Sequence, residues 1–199
     1  ELGGPDMGRC LDRIGLDMDN FRSVLGELAR ERSPSRLACL ALDLWWYWKV
    51  RGPYGEGRSW LALASRTAEP GSVTAAMLGV REGFLACAQG QFEEAIALIA
   101  RNLESAPPSL DTVEQLRARI QSGWALGFLG RQDEARLTFE ACRSEALAAA
   151  NRGLAAHAEL GLGSVAWSTG DLDLAERYYS AALRSFSALA MPIEEERAQ

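Results

Sequence analysis

The chain has 199 residues, 48% of them apolar and 24% charged, a composition that suits a soluble core and excludes global disorder. Its 27 acidic residues outnumber 21 basic ones for a formal net charge of −6, and no basic run exceeds two residues, so direct nucleic-acid binding is not expected. The longest apolar stretch, over 40–50, is broken by Asp43 and Lys49 and falls short of the roughly 20 residues a membrane helix needs. Residues 1–5 are polar and glycine-rich and do not read as a secretory signal. These features predict a cytoplasmic, non-membrane protein.

Residues 1–16 read as a flexible N-terminal segment, and 17–199 as a single helical repeat domain. The missing initiator Met fits a piece of a longer polypeptide. A leading helix is predicted over Met18–Arg32, with Asp17 or Asp19 as its cap. Ser33-Pro34 then opens a helix with Ser as cap and Pro in the first turn, and Gly52 closes it. Paired helices follow over 34–50 with 55–68, 72–89 with 91–105, 111–129 with 132–150 and 153–169 with 171–189. The clearest breaks are Glu69-Pro70-Gly71 and Ala106-Pro107-Pro108-Ser109, which set repeat limits of about 34–70, 71–108, 109–151 and 152–191. Met191-Pro192-Ile193 reads as the start of a further helix.

The repeat is carried by columns of residue types. Turn glycines Gly52, Gly90, Gly130 and Gly170 lie 38, 40 and 40 residues apart. Seven residues earlier stand Trp45, Gly83, Gly123 and Gly163; nine later stand Leu61, Ile99, Phe139 and Tyr179. The turn glycine supplies a left-handed helix end. The glycine two helical turns upstream lets the paired helix approach, with Ala95, Ala135 and Ala175 facing the same contact. The large residue one turn further on fills the space between hairpins. This spacing resembles the tetratricopeptide repeat, whose glycine, small and large-apolar positions fall on these columns. The period near 40 exceeds the usual 34, the early aromatic of the first helix is missing, and Gly57 stands where Ala is usual. The resemblance implies an all-α fold, a right-handed α-α superhelix of about four helical hairpins behind a leading helix.

The sequence offers little catalytic chemistry. His157 is the only histidine, and His157 with Glu159 lacks the cysteine pair that a zinc deaminase needs. No phosphate-binding glycine loop is present, and no cofactor or metal is expected. Cys10, Cys39, Cys87 and Cys142 have no CxxC spacing and read as buried, reduced thiols. In tetratricopeptide arrays the first helix of each pair lines a concave face. The columns six, three, two and thirteen residues before the turn glycine place Trp46, Lys49, Met77, Phe84, Arg117, Trp124, Phe128, His157 and Trp167 on that lining. Such an apolar groove with a polar edge would suit a partner helix, a peptide or an apolar ligand. Trp45 and Trp48 read as packing between helices. For Trp46, Phe84 and Trp124 groove lining and interhelical packing are both open.

A narrower likeness covers residues 16–61. Leu16-Asp17-Met18-Asp19-Asn20-Phe21-Arg22-Ser23-Val24-Leu25, then Leu37–Trp48, Arg51-Gly52 and Glu56–Leu61, resemble the segment following the nucleotide-binding core of bacterial signal-transduction ATPases with LuxR-type or antibiotic-regulator-type DNA-binding domains. That resemblance implies a non-catalytic sensing domain of a multidomain transcriptional regulator. Its partners would be another protein or the other domains of the same polypeptide, with a small-molecule inducer and self-association also implied. A stand-alone adaptor that recruits a partner through the groove is the alternative.

Overall fold

A computed structural model describes residues 7–190. The expected helix start at Met191 lies outside the described residues, as do 1–6. Within them the chain is all-α, with ten helices and no strand: α1 (Met7–Leu16), α2 (Met18–Arg30), α3 (Pro34–Arg51), α4 (Tyr54–Thr67), α5 (Val73–Ala88), α6 (Phe92–Glu104), α7 (Thr112–Phe128), α8 (Gln132–Ala148), α9 (Arg152–Ser168) and α10 (Leu172–Ala190). The expected four hairpins are α3–α4, α5–α6, α7–α8 and α9–α10, and each packs as an antiparallel pair. This is the architecture of a tetratricopeptide-like helical repeat.

Two differences from the sequence reading concern organisation. Residues assigned to a flexible segment include α1, whose Leu11 is 1% exposed. Arg51 of α3 reaches Asp12 and the Gly8 carbonyl, tying α1 to the first hairpin. The chain also divides into two compact units between Leu110 and Asp111, just after the Pro107-Pro108 break, where one continuous domain was expected. In the first unit α1 and α2 pack on α3, α3 contacts α4 and α5, and α5 contacts α4 and α6. In the second, α9 contacts α7, α8 and α10. First helices of successive hairpins therefore touch within each unit, as a repeat stack requires.

The turn glycines behave as their column implies. Gly52, Gly90, Gly130 and Gly170 have φ of 95, 77, 76 and 85°. At Gly130 the turn is a Schellman cap: Gly130 N–H donates to the Gly127 carbonyl and Arg131 N–H to that of Leu126. The same pair of bonds recurs at Gly90 and Gly170. It recurs once more at Ala150, where φ is 54° without the excuse of a missing side chain. Caps at the other helix ends are uneven. Ser72, Asp111 and Asn151 accept from the first-turn amides of α5, α7 and α9. Ser33 occupies the expected cap position of α3, but its hydroxyl makes no such bond.

The upstream glycines also have their predicted purpose. A Cβ at Gly83 would lie 2.8 Å from Ile99, at Gly123 2.7 Å from Phe139, and at Gly163 2.7 Å from Tyr179. Each large residue of one column occupies the space vacated by the glycine of the other, within its own hairpin. Phe139 is clamped twice, since a Cβ at Gly161 of α9 would approach it to 2.4 Å. The first hairpin solves the same problem with the sizes exchanged. Trp48 is fully buried, and a Cβ at Gly57 would lie 2.6 Å from its ring. Gly57 is thus the complement of Trp48, which accounts for the departure from Ala at that position.

The cysteines differ from expectation. Cys87 and Cys142 are buried, whereas Cys10 and Cys39 are exposed, because their positions on α1 and α3 face away from the helices packed there. Burial pushes the Cys142 thiol up to about 11, against a smaller opposing pull from Arg119.

Candidate functional site

The candidate residues fall in both units. In the first, Trp46 and Lys49 lie on α3, and Met77 and Phe84 on α5, two helices in direct contact. Trp45 and Trp46 have ring centroids 4.8 Å apart, and Trp45 meets Phe84 edge-on at 5.9 Å. The Lys49 ammonium sits 4.6 Å from the Trp46 ring centre and 5.6 Å from that of Phe84. Arg81, which the columns did not select, places its guanidinium 4.4 Å from the Trp45 ring and is itself buried. Cations over aromatic faces are attracted by the ring quadrupole, the more so where water is scarce. Phe84 is only 6% exposed, so it is a wall of this cluster and presents little surface to a partner. Trp45 and Trp46 are half-buried beside it, and Met77 is half-buried further along α5.

In the second unit, Trp124, Phe128 and Trp167 line one small pocket of about 100 Å³ together with Gly123, Gly127 and Ser164. The half-buried Trp124 ring packs edge-on against Phe139 at 5.4 Å, so it is anchored by the core on one side. Phe128 and Trp167 stand near the C-terminal ends of α7 and α9 and are 67% and 65% exposed. Gln132 donates its side-chain N–H to the Gly127 carbonyl at 3.1 Å, a bond that stiffens the pocket edge. Gly127 and Ser164 line the same pocket, and neither carries a side chain large enough to fill it.

Two candidates lie elsewhere. Arg117 is exposed and pairs with Glu114 one helical turn before it, at 3.3 Å. His157 is exposed and stacks edge-on with Phe186 of α10 at 4.9 Å, so it belongs to the seam within its own hairpin. Neither lines the Trp124 pocket. Among the described residues no group of three or more His, Cys, Asp or Glu side chains is placed to hold a metal ion. No helix of these residues is long and apolar enough to cross a membrane.

A family model described as the tetratricopeptide repeat matches residues 158–187, which run from within α9 to within α10. No curated protein matches the chain. The matched segment contains Gly163, Gly170, Ala175 and Tyr179, one residue from each column that defines the repeat. A repeat of this class is, as a rule, a protein-interaction element and typically non-catalytic.

Proposed function

We propose that this chain is a non-catalytic recognition module whose contact surface centres on Phe128 and Trp167. The observation that carries this reading is the exposure of these two rings beside one pocket, on the first helices of successive hairpins. Large aromatics left in water cost hydration free energy and gain when a partner covers them, which is why such residues dominate binding hot spots. An apolar helix or peptide segment could set one side chain between the rings, over Gly127 and Ser164. Trp46 and Lys49 form a second contact area in the first unit.

The wider role we propose is that of the sensing arm of a multidomain bacterial transcriptional regulator, acting in the cytoplasm. Support for it comes from the residues of α2 to α4 that resemble the corresponding part of signal-transduction ATPases. Binding would act through differential affinity for alternative arrangements of the parent protein. The parent gene tests this role: an upstream P-loop and a terminal helix-turn-helix are expected. Their absence would leave the stand-alone adaptor. The surface itself is tested by comparing proteins captured by the wild type and by Phe128→Ser/Trp167→Ser at equal helicity. Partners should be lost from the variant, by about 2 kcal/mol or more for a central aromatic; identical sets retained by both would refute the assignment.

A further inference from the structure

A separate cavity of about 410 Å³ opens in the first unit where the C-terminal ends of α2 and α4 meet the start of α3. It is far larger than the pocket beside Phe128 and lies in the size range of small-molecule sites. Its accessible walls are apolar: half-buried Ala29 and Leu63 and exposed Pro34 surround a floor of buried Leu28 and Leu37. Its rim is polar and positively biased. Arg32 lines it, and its guanidinium has no hydrogen bond or ion pair among the described residues. Ser33 lines it too, with a hydroxyl that does not cap α3. Pro34 has no N–H and that of Leu37 bonds to the Ser33 carbonyl, so the Ser35 and Arg36 amides form the positive end of α3 near the cavity. Arg32 also has φ of 55° in a turn of the kind that uses Gly at 90, 130 and 170.

We infer that this cavity binds a small aliphatic carboxylate. Its chain would lie against Ala29, Pro34 and Leu63, and its carboxylate would meet Arg32 and the positive end of α3. An amine head group would face like charge, and an alcohol could accept one hydrogen bond from the guanidinium but would forgo the ion pair and the bidentate geometry of a carboxylate. The site shares no residue with the Phe128 surface, so neither proposal depends on the other.

The test is calorimetric titration of the full chain with octanoate, octanol and octylamine. Octanoate should bind one site at least about tenfold more tightly than octanol, with octylamine weakest. Arg32→Asn removes the charge while keeping a side chain that tolerates positive φ. It should weaken octanoate about tenfold and leave octanol unchanged. Equal affinity for octanoate and octanol, no saturable octanoate binding, or an Arg32→Asn variant that binds octanoate as the wild type does would overturn the inference. Tighter binding of acetyl-Leu-Leu than of octanoate would also overturn it, by assigning the cavity to a peptide C-terminus.

Discussion

Gly161→Ala puts the packing account at most risk. Alanine is the better helix former by about 1 kcal/mol, so on propensity alone this change inside α9 should stabilise. The structure says otherwise. The new methyl would lie 2.4 Å from two carbons of the Phe139 ring. That ring is 1% exposed and cannot retreat, because Gly123 backs it on the other side at a distance that leaves no room for a methyl. Overpacking costs about 1–3 kcal/mol, and a rigid ring held on both faces belongs at the upper end. Subtracting the propensity gain leaves a loss of about 2 kcal/mol, or roughly 8–16 °C in Tm for a unit of this size. Urea unfolding followed by circular dichroism measures it. Gly26→Ala is the control, since nothing lies within 4 Å of a Cβ there, and it should stabilise by up to about 1 kcal/mol. In a Phe139→Leu background the Gly161→Ala loss should shrink, the coupling expected of residues in contact. A neutral or stabilising Gly161→Ala would mean that Phe139 is not wedged between α7 and α9.

Three further outcomes follow from local features. Ala150→Gly relieves a left-handed alanine worth about 1–2 kcal/mol and gives back about 0.4–1 kcal/mol in unfolded-state entropy, so urea titration should show a net gain of about 0.5–1 kcal/mol. Burial raises the Glu82 carboxyl above its usual 4.5, partly opposed by Arg58. The folded state therefore holds that proton more tightly than the unfolded chain, and stability should fall as pH rises from 4.5 through the raised value. Glu82→Gln should remove that part of the slope and be the more stable protein at pH 7; an unchanged pH profile would contradict the burial of this carboxyl. Under native conditions at pH 8 a disulfide-exchange reagent should label Cys10 and Cys39 quickly and spare Cys87 and Cys142, with all four reacting in denaturant.

The repeat was legible because its geometry restricts residue type. Positive φ at Gly90, Gly130 and Gly170, and ring contact at Gly83, Gly123 and Gly163, each leave glycine as the cheap choice, so the columns stand out. Gly161 was not legible, since the positions 40 and 80 residues earlier hold Gln121 and Arg81 and no column forms. The Trp48–Gly57 exchange shows why the first hairpin read as irregular: the volume is conserved across the contact while neither residue type is. Helix α1 escaped notice because a single fully buried leucine and an arginine from α3 hold it, and both are tertiary facts. At the candidate site, sequence columns place residues on a helix but not the neighbours that cover them. Arg117 finds Glu114, His157 finds Phe186, and Phe84 is covered by its cluster. Phe128 and Trp167 come from the same columns and remain exposed.

The recognition surface is tested most directly by placing a photo-crosslinking phenylalanine analogue at position 167 in the native host, and at the exposed position 140 of α8 as control. Position 167 should yield a discrete protein adduct that position 140 does not, and Phe128→Ser should abolish it. Equal adducts from both positions, or an adduct at 167 that survives Phe128→Ser, would contradict a recognition surface centred on these two rings.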